Sequence, residues 1–414
     1  MSGVARGRGV AVTGMGLITP AGIGVAENWR RVLSGVSAGA TDPELKGEKV
    51  DISCRVPGFD PTAELGRRTA WKLDRFTQLA VVGARQAVAD SGLDTGSWDC
   101  TRVGVVIGNS LGGAATLEKQ LRTYSEGTPE DVSALMIPMS MVNMVAGYVA
   151  MDLRIHGPSL VTATACASGA SAIGTAREWL LSGLCDVVLA GGTESAISPG
   201  TLNGLSRMGA LSGRTDEPGA ASRPFAADRD GFVAGEGAAI LVLERCADAT
   251  ARGARRYADI AGFSATSDAH HATAPHPQGE GLARALRAAL DDAGVLPDEV
   301  EHVNAHGTST PMNDLTEARA LHSVLGDRAA VTSTKGVTGH TLAAAGAVEA
   351  AYTALALYHG AMPPTANVTS LDPAIDVDID VVTGSARHRR MSVAASTSLG
   401  FGGHNAALVL TAAA

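Results

Sequence analysis

The sequence predicts a layered α/β fold made of two divergent copies of one strand–helix unit. Short runs rich in Val, Ala and Gly alternate with helical stretches along the whole chain, the pattern of an α/β body. The second half repeats the outline of the first. Residues 258–263 correspond to the opening strand, 281–294 to the helix 78–92, and 300–305 to the strand 102–107. Likewise, 331–334 with the Ala-rich helix 341–357 corresponds to the strand and helix around Cys166, and 406–410 mirrors 239–243. A chain of 414 residues also exceeds what one core usually holds, so two lobes are expected, 1–250 and 251–414.

Composition narrows the class. Hydrophobic residues make up 45% but aromatics only 4%, which implies a core of Ala, Val, Leu and Ile. A net charge of -9 argues against binding nucleic acid, which depends on Lys and Arg meeting phosphates. Cys54, Cys100, Cys166, Cys185 and Cys246 are odd in number, widely spaced and without a C-x-x-C pair. They signal neither a zinc site nor a disulfide framework, so a reducing, cytoplasmic setting is expected. The first residues lack the apolar core of a signal peptide. The most apolar helix, 341–357, is interrupted by Glu349, so no membrane span is expected.

Taken in order, residues 9–16 read as a buried strand ending in a glycine turn. Its G-x-G lacks the third glycine and the following acidic residue of a dinucleotide site. The G-x-S-x-G at 35–39 has a helix before it and a loop after, the reverse of a nucleophile elbow. Residues 67–91 read as one long amphipathic helix whose start gathers Arg67, Arg68 and Lys72. A strand at 102–108 runs into a glycine loop through Gly113, and 114–150 form helices in which Met136, Met139, Met141 and Met144 are expected to fill core. The stretches at 185–192 and 238–244 are further strands.

The organising stretch is 164–174, where a β-prone run meets a helix. It sets Cys166 among Ala, Ser and Gly at a strand-to-helix turn, open to close approach. A helix N-terminus favours negative charge, so the thiol pKa is expected below its free value of about 8.5. The same amides suit an oxyanion. In the second half, polar groups stand among small residues in three places: 304–311 with His306, 333–340 with Lys335 and His340, and 399–405 with Phe401 and His404. One nucleophilic Cys with two His beside glycine turns points to a Cys–His–His centre for thioester chemistry, the neutral imidazoles donating to a developing enolate.

These segments resemble the β-ketoacyl-[acyl-carrier-protein] synthases of the elongating type, close to ketoacyl synthase II, within the thiolase superfamily. The likeness runs from Val10 to Leu410. It includes the Cys166 segment, 223–225, 229–232 with 235–237, 304–311, 335–340, 346–349 and 400–403.

The resemblance implies a thiolase-like body of five layers, α-β-α-β-α, and an acyltransferase. Cys166 would take an acyl chain from a carrier-protein thioester, with the Cys166 and Phe401 amides as oxyanion hole. His306 and His340 would bind the malonyl thioester during decarboxylation, and the carbanion would attack acyl-Cys166. Lys335, partnered by Glu317, would hold the histidines, with Asp314 structural. Thr308, Thr310, His271 and Thr273 would line the phosphopantetheine path, and Phe401 would gate it. No metal and no redox cofactor are implied. An acyl carrier protein would dock at Arg67, Arg68, Lys72 and Arg207. The partner would be a second copy, or a chain-length factor if the chain is the ketosynthase subunit of an iterative type II polyketide or polyene synthase. Chain-length factors themselves lack the nucleophile, and a thiolase would need a second Cys within 395–405. His404, where many relatives have Thr, and 114–117, of unusual bulk for a tunnel wall, depart from the pattern.

Overall fold

The computed structural model describes residues 9–413. The first half gives β1 (Val10–Thr19), α1 (Arg75–Ser91), β2 (Val103–Gly108), α2 (Ala114–Glu126), α3 (Met144–Leu153), β3 (Ser159–Thr162), α4 (Ser168–Leu181), β4 (Val187–Glu194) and β5 (Gly237–Arg245). The second gives β6 (Ala258–Ser267), α5 (Glu280–Ala293), β7 (His302–Asn304), α6 (Pro311–Leu325), β8 (Ala330–Thr332), α7 (Ala345–His359), β9 (Val393–Gly400) and β10 (His404–Thr411).

The strand order states the duplication. The first half runs β1-β5-β4-β2-β3, and the second runs β6-β10-β9-β7-β8. In both, the first two pairings are antiparallel and the last two parallel. The halves join where Val10–Val12 pairs antiparallel with Ala258–Ile260, which makes one 12-stranded sheet. Helix α1 covers one half-sheet with α3 beside it, and α5 covers the other with α6. Between the half-sheets lie α4 and α7, in contact with each other. This is the five-layer order.

Small residues make the middle layer possible. A Cβ added to Gly169 of α4 would stand 2.6 Å from the Ala347 nitrogen, and one on Gly346 of α7 would stand 2.8 Å from the Ala170 nitrogen. The two helices therefore cross backbone to backbone at equivalent glycines. The residues preceding them match as well: Ala165 and Leu342 both take left-handed φ, 49° and 50°. Such a conformation is costly for a residue with a Cβ and persists only where the surroundings enforce it. Every residue of α7 from Ala345 to Leu357 is buried, Glu349 included.

Two expectations about elements are corrected. The opening strand does not stop at a glycine turn but continues to Thr19. Gly16 serves close packing, since a Cβ there would lie 1.8 Å from the Gly83 carbonyl oxygen of α1. The long helix 67–91 is broken into Arg67–Ala70 and α1, because Asp74 adopts an extended conformation and caps α1 by accepting from the Phe76 N–H at 3.3 Å. An Asp caps a helix start better than it sits inside a helix.

The methionines are also not core. Met136, Met139 and Met144 are half-buried and Met141 is exposed. Among the described residues no helix is long and apolar enough to cross a membrane.

Candidate active site

Cys166 lies in a 3-10 turn, Ala165–Ala167, between β3 and α4. The turn is tied by Ser168, whose hydroxyl donates to the Ala165 carbonyl at 2.6 Å and accepts from the Thr164 N–H at 2.9 Å. His306 follows β7, and His340 follows the short helix Lys335–Thr338. His340 is held as a bridge: its N–H donates to Val233 and its carbonyl accepts from Gly235, both at 2.8 Å. Phe232 packs edge-on against its ring at 5.0 Å.

These elements converge. Nε2 of His340 lies 3.2 Å from Sγ of Cys166, and the two imidazoles stand perpendicular with centroids 5.2 Å apart. All three residues are buried. The bonding fixes the tautomers. Lys335 Nζ, which can only donate, sits 3.2 Å from Nδ1 of His306. The Leu342 N–H donates to Nδ1 of His340 at 3.3 Å. Both Nδ1 atoms therefore accept, and both Nε2 atoms carry the proton. Burial, followed by the Lys335 charge, holds both rings well below the usual imidazole pKa, so they are neutral N–H donors.

A Cys and two His whose donor atoms lie within 4.8 Å of one another have the spacing of a metal site. The tautomers oppose that use. A ligating His usually donates its other N–H to an acceptor, whereas here Nδ1 of each ring faces a donor.

The thiol corrects the expected pKa. Burial pushes Cys166 up to about 12, against the lowering effects of Lys335 and of a hydrogen bond from the Phe401 N–H. Desolvation outweighs the helix N-terminus, so the resting sulfur is a thiol.

The amides expected to form an oxyanion hole are adjacent. A Cβ on Gly400 would come within 2.5 Å of the Thr164 carbonyl oxygen and 3.2 Å of the Cys166 nitrogen. Only glycine lets the 400–403 turn approach the nucleophile this closely.

Lys335 pairs with Glu349, not with Glu317. Glu317 instead accepts from the His306 and Gly307 amides at 2.8 and 2.7 Å and from the Thr397 hydroxyl at 2.7 Å. It shapes the His306 loop through the backbone. Asp314 likewise accepts from Phe225 N–H at 2.8 Å and Ser309 N–H at 3.2 Å. Glu349 was missed as a partner although it is the sole charge in an otherwise apolar helix, a signal the sequence did carry.

The other candidates are more dispersed. Thr308 is buried and shares a 2.9 Å hydrogen bond with Thr310. His271 and Thr273 are exposed, and Nδ1 of His271 accepts from the Thr273 and Ala274 amides, both at 3.1 Å. That loop meets the Phe401 turn, since Gly402 N–H donates to the Ala272 carbonyl at 2.7 Å and Asp268 N–H to that of Gly403 at 2.8 Å. Phe401 is 36% exposed and not in the core. Arg67, Arg68 and Arg207 are exposed, and Lys72 lies over the Trp71 ring at 5.8 Å.

Residues 7–249 match the family description "Beta-ketoacyl synthase, N-terminal domain", and residues 257–369 match "Beta-ketoacyl synthase, C-terminal domain". The chain belongs to the β-ketoacyl synthase family. A 3-oxoacyl-[acyl-carrier-protein] synthase 2 of Synechocystis sp. is 43% identical over 96% of this chain and 97% of its own length. Among solved structures, the ishigamide ketosynthase/chain length factor superposes with a TM-score of 0.92 at 33% identity, covering 98% of this chain and all of the other. A type II polyketide acyl-carrier protein in complex with its ketosynthase bound to the hexaketide gives a TM-score of 0.89 at 31% identity, again over 98% of this chain and all of the other. The fold is thiolase-like, as these ketosynthases are.

Proposed function

We propose that the protein is a 3-oxoacyl-[acyl-carrier-protein] synthase that extends an acyl chain by decarboxylative Claisen condensation. The observation that carries this reading is the convergence of one buried thiol and two neutral imidazoles that both present Nε2–H. In the first half-reaction the Cys166 sulfur attacks the acyl thioester. The carrier's pantetheine sulfur leaves, and the thiol proton passes to it. The His340 N–H and the Phe401 amide support the sulfur as charge builds on it.

In the second half-reaction the malonyl thioester carbonyl accepts from His306 and His340. The bond to the carboxylate breaks, CO2 leaves, and the electron pair becomes an enolate held by those two donors. Its carbon attacks acyl-Cys166, the oxyanion rests on the Cys166 and Phe401 amides, and the sulfur departs and regains a proton. Loss of CO2 supplies the driving force, so these steps call on no redox cofactor or metal. Lys335, braced by Glu349, fixes the His306 tautomer. Thr308, Thr310, His271 and Thr273 line the pantetheine path, and Phe401 gates it.

The carrier protein, itself acidic, docks at the exposed Arg67, Arg68 and Arg207 and the half-buried Lys72, cations on an otherwise acidic chain. A second copy covers the face around α2. That helix buries none of its residues, and β3 ends the sheet half-open. Leu117, Leu121, Tyr124, Ile137, Met141 and Leu160 are all more than 36% exposed there, and an open edge strand invites pairing with an identical one. The unpaired cysteines fit a cytoplasmic setting.

The test incubates the purified protein with acyl- and malonyl-carrier protein and follows products by mass spectrometry. A 3-oxoacyl product from this chain alone supports the fatty-acid reading. A second reading, the ketosynthase subunit of an iterative type II polyketide synthase, draws on the likeness to a ketosynthase/chain length factor structure. It predicts activity only after a chain-length-factor homologue is added.

A further inference from the structure

One buried carboxyl beside the nucleophile takes part in none of these steps. Glu194, the last residue of β4, is fully buried, and its partners are amides, not cations. Oε1 accepts from the Asn109 side chain at 3.0 Å, and Oε2 accepts from the Ser110 and Leu111 N–H groups at 3.2 Å each. The stretch it grips, between β2 and α2, is held from the other end by Asp74. That carboxyl caps α1 and also binds the Thr116 hydroxyl and amide, so that α2, which has no side-chain cap of its own, is closed from outside.

The gripped loop lies directly against the Cys166 turn. The Ser110 hydroxyl is 3.2 Å from the Ala165 carbonyl oxygen and 3.0 Å from the Ser168 hydroxyl, residues on either side of the nucleophile. On its far side, Gly112 and Gly113 pass so close to the Met136–Ser140 helix that a Cβ on either would be 2.3 Å from a carbonyl oxygen of Ser140 or Met139. Leu111 alone projects, 47% exposed.

We propose that Glu194 is a positioning residue that fixes the 109–113 loop as one wall of the space receiving the acyl chain on Cys166, and so sets which chain lengths are accepted. This rests on the acyl-Cys166 reading above. Glu194 makes and breaks no bond; it acts by holding two amides in place. Burial pushes its carboxyl up to about 7, so the carboxylate, the stronger acceptor for those amides, fills in as pH rises through that value. The titratable groups facing it are Asp74 at the start of α1 and Cys166 on the turn, with the Arg75–Glu236 pair adjoining through Ser195.

The experiment is single-turnover acylation of Cys166 by butanoyl- and dodecanoyl-carrier protein, in the full-length protein and in Glu194→Gln, across pH 6 to 8. In the variant the side-chain oxygen keeps the Ser110 and Leu111 N–H groups only by turning its own N–H toward the Asn109 side-chain amide, also a donor, and loses the negative charge that holds all three. The expected result is a fall of about ten-fold in the long-to-short acylation ratio, the scale of a disturbed apolar pocket. The ratio in the unmodified protein inflects near neutral pH, and that inflection is absent from Glu194→Gln. Taking the ratio cancels effects, such as those of Glu349, common to both chains. If Glu194→Gln does not fold, Glu194→Asp carries the test: it keeps the charge, withdraws it by one methylene, and lowers the ratio while retaining the inflection. An unchanged ratio and pH profile in a folded variant overturns the proposal. Absence of any acyl-Cys166 in the unmodified protein instead overturns the reading on which it rests.

Discussion

Lys335 is paired with Glu349, a carboxyl carried by the most thoroughly buried helix of the molecule. The pair does two things at once. It satisfies an ammonium at the centre of the protein, and it aims that ammonium at Nδ1 of His306. The second oxygen of Glu349 has no partner, and burial pushes its pKa up to about 7 against the pull of Lys335. Breaking a buried pair by removing one partner typically costs about 3–5 kcal/mol. Glu349→Gln is therefore expected to lose stability on that scale by denaturant unfolding, and to lose malonyl decarboxylation with it. The sign of its pH effect follows from linkage. A carboxyl whose folded pKa lies above its ordinary 4.5 favours the fold when protonated, so the stability it contributes is present below 4.5 and lost as pH rises through about 7. Glu349→Gln removes that slope. Glu317→Gln, by contrast, loosens the His306 loop through its amides, leaving the Lys335 pair intact.

The desolvated thiol makes its own prediction. With a pKa near 12, the thiolate fraction of Cys166 rises ten-fold per pH unit throughout the neutral range. Alkylation by iodoacetamide, read by mass spectrometry on the Cys166 peptide, is expected to climb log-linearly from pH 6 to 9. A plateau near pH 7 contradicts burial as the governing effect and restores the helix N-terminus to that role.

What the sequence made legible divides along a physical line. Alternation and duplication are one-dimensional patterns, so pairing the segments correctly makes it legible that the two halves share one topology, while the order itself, β1-β5-β4-β2-β3, comes from the structure. Residues set beside glycines at the ends of short elements, such as His306 after β7 and His340 after the helix Lys335–Thr338, are legible for the same reason. Which of two nearby carboxyls reaches Lys335 is not, because Glu317 and Glu349 arrive on different helices and only their packing chooses. Burial decided the Cys166 pKa, and burial depends on what the whole chain places around a residue. The methionines of 136–144 misled for a related reason. Their composition is that of a core, but the single chain leaves them uncovered.

That uncovered face predicts a dimer. Leu121 is 54% exposed on a helix that buries nothing, and Leu160 is 43% exposed on the terminal strand. Leu121→Arg with Leu160→Asp is expected to convert a two-chain mass to a one-chain mass in light scattering, with the single-chain fold retained by circular dichroism. If the unmodified chain alone already runs as a monomer, and dimerises only on mixing with a homologue, the pairing is heterologous.

Carrier docking is an electrostatic prediction on an exposed helix. Arg67 and Arg68 lie on a four-residue helix that ends at Ala70, with Lys72 next to the exposed Trp71. Arg68→Glu with Lys72→Glu is expected to raise the KM for carrier-bound substrate about ten-fold at low salt while leaving kcat in place, because rim charges act chiefly on encounter. The difference shrinks at high salt, where exposed charges are screened. An unchanged KM returns these residues to ordinary solvated surface.

Gly400 offers the sharpest steric test of the oxyanion hole. It does not require a left-handed backbone, so a substitution there acts through volume alone. The Cβ of Gly400→Ala would have to displace either the Thr164 carbonyl, 2.5 Å away, or its own strand, and both movements separate the Phe401 amide from the Cys166 amide. Forcing one extra carbon into such a contact costs about 1–3 kcal/mol of stability. The loss of aligned oxyanion donors costs transfer about 100-fold or more. Decarboxylation depends on the two imidazoles and not on those amides, so it is expected to fall far less than acylation. Equal losses in the two half-reactions, measured on one folded preparation, would mean that the enolate and the tetrahedral oxyanion share a single set of donors.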